Sequence, residues 1–182
     1  PLATFRDAEG KVGVLGRGVA FDPNEGRTEL ELLDSEGMPY NHLKIAWNAH
    51  LVLPQHIVMD RLGDSSDGEI KIGTTGRGIG PVYTDFTARI GLVVSDMLDV
   101  DRFHEKLQEN FKDKLRWLKS FPAEVVERVV REAGYGDFSH PTTFLDLDAI
   151  VETYRAHGKF FERFMTDTDA YIAIRKSAHH SL

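Results

Sequence analysis

Apolar residues fall into two regimes along the chain: short runs in the first half, and positions three or four apart in the second. Residues 12–15 and 19–21 are brief apolar runs on either side of Gly16-Arg17-Gly18, which predicts two short buried strands around a turn. Residues 23–26 read as a turn. Residues 28–35 read as a short helix carrying Leu30, Leu32 and Leu33, ended by Gly37-Met38-Pro39. Residues 43–47 predict a strand, and 51–62 suit either a strand or a helix around Pro54. Gly63-Asp64-Ser65-Ser66-Asp67-Gly68 reads as an exposed, disordered turn.

The second half is helical. Asp99 or Asp101 caps a helix running to about residue 119, with Phe103, Leu107, Phe111, Leu115 and Leu118 on one face. Pro122 suits the first turn of the next helix and Gly134 its end, with Val125, Val126, Val129, Val130 and Ala133 facing inward. Asp146 or Asp148 caps a third helix in which Ile150, Val151, Tyr154, Phe161 and Phe164 cluster. A fourth, short one holds Tyr171, Ile174 and Ala178. These aromatic stripes are packing faces rather than a cofactor box. The pattern divides the chain into an α/β segment at 1–98 and a helical segment at 99–182, forming one structural unit.

Composition narrows the function. At 41% hydrophobic and 28% charged residues, the 182-residue chain has an ordinary globular composition. A net charge of −7 argues against broad nucleic-acid or anionic-membrane binding, so any anion site must be local. The absence of cysteine excludes disulfides and thiolate metal sites. No apolar stretch approaches about 18 residues, the N-terminus does not resemble a signal peptide, and no repeat is evident.

The chemistry concentrates in Ile72-Gly73-Thr74-Thr75-Gly76-Arg77-Gly78-Ile79-Gly80-Pro81. Its four glycines let a ligand approach the backbone closely. Successive N–H groups in such a turn converge on an anion. The threonine hydroxyls add donors, and Arg77 adds a planar fork for phosphate. The spacing is neither that of a dinucleotide fingerprint nor that of a nucleotide-triphosphate cradle. Arg77 has two readings: over a ligand phosphate, or paired with an acidic residue such as Asp85 to support the loop. His56 reads as a hydrogen-bonded histidine of the fold. Adjacent His179 and His180 make a poor metal site, the paired aspartates read as helix caps, and no metal ligands are assigned.

The run continues as Val82-Tyr83-Thr84-Asp85-Phe86-Thr87-Ala88-Arg89-Ile90-Gly91, and the whole closely resembles the adenylosuccinate synthetase family. There, the same ten residues are followed by Tyr-x-Asp-x-x-Ala-Arg. Gly16-Arg17-Gly18-Val19, the His-x-x-x-Asp of His56 and Asp60, and Phe103-His104-Glu105-Lys106-Leu107 are weaker echoes in the same order. The resemblance is good over about residues 10–110. It implies an α/β fold with a mainly parallel sheet, of which this piece is the helix-rich part with a few short strands.

The resemblance also implies a function: a cytoplasmic, homodimeric, purine-biosynthetic ligase that joins IMP to L-aspartate, with GTP and Mg²⁺ as cofactors. By resemblance, Thr75 contacts the IMP phosphate, Thr74 and Gly76 shape the same loop, and Arg89 reaches the IMP of the partner subunit. The family's Gly-Asp-Glu-Gly-Lys-Gly-Lys loop, with its catalytic aspartate, is not in the sequence. No catalytic residue is therefore assigned. The chain, which starts at Pro1, is expected to be an internal piece of a longer enzyme and inactive alone. Phe86, Ile90 and Val93 stand where the family carries basic residues, which opens an alternative: a non-catalytic nucleotide-binding or dimerisation module.

Overall fold

The computed structural model describes residues 12–65, 75–134 and 147–179. Strands β1 (Gly13–Leu15), β3 (Leu43–Ala46) and β5 (Met165–Thr166) form a parallel sheet in the order β1-β3-β5. Its register pairs Gly13 with Leu43 and Ile45 with Met165. Strands β2 (Ala20–Phe21) and β4 (His50–Leu51) form a second parallel pair. Parallel neighbours need a crossover, and helix α1 (Pro23–Ser35) supplies it between β1 and β3. This is the α/β, helix-rich architecture with short parallel strands that the sequence implies.

Helix α1 begins five residues before the predicted one, because 23–26 is its first turn and not a separate turn. The Asp22 carboxylate accepts the Asn24 N–H at 2.9 Å, and Pro23 takes the first helical position, where its missing N–H costs nothing. Gly26 sits inside that turn because a Cβ there would lie 2.9 Å from the Phe21 ring. Leu30 and Leu33 are buried, whereas Leu32 faces outward.

Residues 51–62, ambiguous in sequence, split after β4 into helix α2 (Pro54–Ser65). The helix carries through the first residues of the predicted 63–68 turn; residues 66–68 lie outside the described residues. Helix α3 (Ile79–Ala88) starts within the glycine run and takes Pro81 into its first turn, so the loop is shorter than its sequence suggests. A 3-10 turn at 94–98 leads to α4 (Val100–Leu118), capped by Asp99, whose carboxylate accepts the Arg102 N–H at 3.1 Å. Helices α5 (Ala123–Glu132), α6 (Leu147–Phe161) and α7 (Thr168–His179) follow. The Asp167 carboxylate accepts the Ala170 N–H at 2.9 Å at the start of α7.

One apolar cluster draws on both ends of the chain. Leu30, Leu43, Ile45 and Leu51 pack with Phe103, Leu107, Tyr154 and Phe161. The Tyr154 hydroxyl donates to the Val52 carbonyl at 2.9 Å, which ties α6 to the end of β4. A second cluster joins Val58 and Leu62 of α2 to Phe111 of α4 and Val129 of α5. Helix α2 is thereby fixed on its inner side, and its outer side carries the glycine loop. Among the described residues, no helix is long and apolar enough to cross a membrane.

Candidate functional site

The described part of the loop, Thr75 to Gly78, rests on α2 and is held there by two of its side chains. The Asp60 carboxylate accepts the Gly78 N–H at 3.0 Å, and the Arg61 Nε donates to the Gly76 carbonyl at 3.2 Å. Gly78 must be glycine on two counts. Its φ is +77°, and a Cβ would lie 2.8 Å from the His56 carbonyl carbon and 2.9 Å from the Ile57 nitrogen. The loop backbone therefore lies directly on the start of α2. Because Asp60 occupies the Gly78 N–H, that donor is closed to a ligand. Thr75, Gly76 and Arg77 line the neighbouring cleft.

Those three residues line a cleft of about 790 Å³ together with Asp22, Glu25 and Glu29 of the α1 end and with Phe21, Val52 and Ile57. The size suits a small-molecule ligand. Its charge is divided, with Arg61 and Arg77 on the loop side facing carboxylates on the α1 side. Burial pushes the Asp22 carboxyl up from its ordinary value, against the hydrogen bonds from the Asn24 and Glu25 backbone.

Beneath α3 lies a buried polar node. His56 accepts the Leu53 N–H on Nδ1 at 3.0 Å, so its Nε2 carries the proton and donates to Asp85 Oδ2 at 2.7 Å. Lys114 reaches Asp85 Oδ1 at 2.7 Å, and the Asn110 amide donates to Oδ2 at 2.5 Å and to the Ile90 carbonyl at 3.0 Å. The Gln55 amide donates in turn to Asn110 Oδ1 at 3.1 Å. Burial drives the His56 pKa down, opposed by Asp85 and reinforced by Lys114, which keeps the imidazole neutral. Burial alone would raise the Asp85 pKa, but hydrogen bonds from His56, Lys114 and Asn110 outweigh it and the net shift is downward.

The sequence-predicted residues divide accordingly. Thr75, Gly76 and Arg77 come together on the cleft, and Thr74 lies outside the described residues. The Arg77–Asp85 pair considered from sequence does not form: Asp85 is consumed by the buried node, and Arg77 lies 3.7 Å from Glu25 instead. Arg89 ends α3, away from the cleft lining, with φ 62° and ψ 28°. It is the one non-glycine with positive φ among the described residues, and its exposed side chain has no hydrogen-bond or ion-pair partner among them.

Sequence reasoning missed Arg61, Glu25, Asn110 and Lys114. Only the i, i+4 spacing of His56 and Asp60 on one helix face carried a signal for α2 as the loop's support. Two of the three departures from the resembled pattern meet at His50: the exposed Phe86 ring lies tilted against the His50 ring at 4.3 Å, and Val93 forms an antiparallel backbone bridge with His50.

Comparison with known proteins bears on this geometry. The family model for adenylosuccinate synthetase matches residues 6–181. A solved structure described as fully ligated adenylosuccinate synthetase from Plasmodium falciparum superposes with a TM-score of 0.64 at 16% identity. The match covers 94% of this chain and 35% of that one, so the chain spans about a third of the relative's length. At this identity the likeness bears on the fold alone.

Proposed function

The chain belongs to the adenylosuccinate synthetase family, and from that premise we propose that it forms the IMP-phosphate loop of a ligase joining IMP to L-aspartate in purine biosynthesis. The observation that carries this reading is that Thr75, Gly76 and Arg77 line a ligand-sized cleft and are backed by α2 through Asp60 and Arg61. Thr75 binds the 5′-phosphate through its hydroxyl and backbone N–H, and Arg77 supplies the charge-assisted contact. Thr74 and Gly76 shape the loop around it. None of these residues makes or breaks a bond; they bind and orient the nucleotide.

Arg89 serves a neighbouring copy. It stands beyond the cleft, at the far end of a helix about 15 Å long. A left-handed backbone at a non-glycine position is a cost that persists where the side chain is needed. Its exposed guanidinium, without a partner among the described residues, fits a contact made across a homodimer, with the partner's IMP phosphate as its target. Residues Ile79, Tyr83 and Phe86 are exposed along the same helix and supply apolar area for that association.

GTP and Mg²⁺ are the family's co-substrate and metal, and the protein reads as cytoplasmic. Among the described residues, no group of three His, Cys, Asp or Glu side chains converges on a point where a metal could sit. The exposed aromatic face of α3 favours a second reading, in which the chain is a non-catalytic nucleotide-binding or dimerisation module.

Calorimetric titration with IMP and with inosine tests the reading. IMP binding at least about tenfold tighter than inosine supports a phosphate-directed loop. Equal affinities, or binding of neither, contradict it.

A further inference from the structure

An ion pair spans the mouth of the cleft and serves no evident need of the fold. Glu25, in the first turn of α1, lies 3.7 Å from the Arg77 guanidinium, and both side chains are more than half exposed. Both line the cleft. Exposed pairs of this kind add little to stability. The separation also exceeds the roughly 2.7–2.9 Å of a well-formed charge-assisted hydrogen bond, so the contact is loose. The other guanidinium of the cleft, on Arg61, already donates to the Gly76 carbonyl. Arg77 is thus the loop cation that faces the ligand space, and the side chain resting on it is a carboxylate.

We propose that Glu25 is an internal competitor for the phosphate site, its carboxylate holding the place at Arg77 that an incoming phosphate takes over. This rests on the reading of the cleft as a phosphate-directed nucleotide site. A dianionic phosphate offers the guanidinium a bidentate partner and displaces the loosely held carboxylate. A monoanion or an uncharged nucleoside does not. Asp22 and Glu29 also line the cleft, and their carboxylates add to the unfavourable field that an incoming anion meets there. Glu25 thereby lowers affinity for anions and narrows the margin by which the phosphorylated ligand is preferred over its uncharged nucleoside.

The test is calorimetry on the 182-residue chain at fixed ionic strength, with IMP and inosine as probes. Glu25→Gln removes an exposed charge and keeps the helix, which circular dichroism verifies. Loss of one unit charge about 4 Å from the anion site, in a solvated setting, predicts IMP binding about threefold to fivefold tighter, with inosine unchanged. In the Glu25→Gln/Arg77→Ala double variant the gain disappears relative to Arg77→Ala alone, because the competition runs through Arg77. Unchanged IMP affinity in Glu25→Gln, with wild type binding normally, overturns the competitor role and leaves the nucleotide reading standing. A gain that persists without Arg77 reassigns the effect to bulk charge and also overturns it. Absence of IMP binding in wild type and Glu25→Gln alike removes both.

Discussion

His56 donates its Nε2 proton to Asp85 across a buried 2.7 Å contact, joining the start of α2 to the middle of α3 on either side of the glycine loop. Asp85 also neutralises the buried Lys114. Removing the carboxylate strands a buried ammonium and a buried imidazole donor together. Asp85→Ala is expected to destabilise the fold by about 3–5 kcal/mol, read from urea denaturation. A loss under about 1 kcal/mol would show that the node does not hold α3 in place.

Acid sensitivity follows from the same burial. Burial lowers the pKa of both His56 and His157, with Arg27 adding to the effect at His157. Below about pH 6.5 the unfolded chain takes up protons on these rings that the folded chain refuses. Their contribution is therefore fully present above that pH and lost as the pH falls through the window below it. Each ring adds up to about 1.4 kcal/mol of loss per pH unit. Asp85, whose folded pKa is depressed, keeps its contribution until the pH falls below about 3.9. Urea midpoints at pH 7, 6 and 5 should decline stepwise; a flat profile would mean that neither histidine is held neutral.

Two glycines of the loop region should behave oppositely. Gly78→Ala forces a left-handed residue and a Cβ into the His56 backbone, at a cost of roughly 2–5 kcal/mol. Gly80, in the first turn of α3, has open space around a built Cβ and helical geometry. Gly80→Ala should stabilise by about 0.4–1 kcal/mol. Thermal melts of the pair separate the two, and similar shifts would contradict the close approach at Gly78.

Arg89 should show a trade of stability for binding. Glycine is the favoured residue at a left-handed helix terminus, so Arg89→Gly should leave the melting temperature unchanged or raised. The same change should weaken IMP binding about tenfold or more at concentrations that favour dimers. Undiminished affinity would remove Arg89 from the phosphate site.

Much of this was legible in the sequence, and the rest was hidden for identifiable reasons. Strands β1 to β3, the faces of α4 and α5, and the loop itself follow from local pattern. The onset of α1 was obscured because Pro23 and Gly26 signal a turn on their own, and only the Asp22 cap with the Phe21 contact makes them a helix start. The start of α3 was concealed likewise by Gly80 and Pro81. The partners of Asp85 and Arg77 were invisible because Lys114 on α4 and Glu25 on α1 lie tens of residues away, and pairing at that distance is set by tertiary packing. Of the loop residues, Ile72, Gly73 and Thr74 lie outside the described residues.

The most direct test of the central claim is an amide-resolved NMR titration of the chain with IMP. The account predicts saturable shifts at the Thr75, Gly76 and Arg77 amides, with the Gly78 amide far less affected because Asp60 already holds its N–H. Shifts confined to other surfaces, or a Gly78 response as large as that of Thr75, would contradict a phosphate seated on this loop.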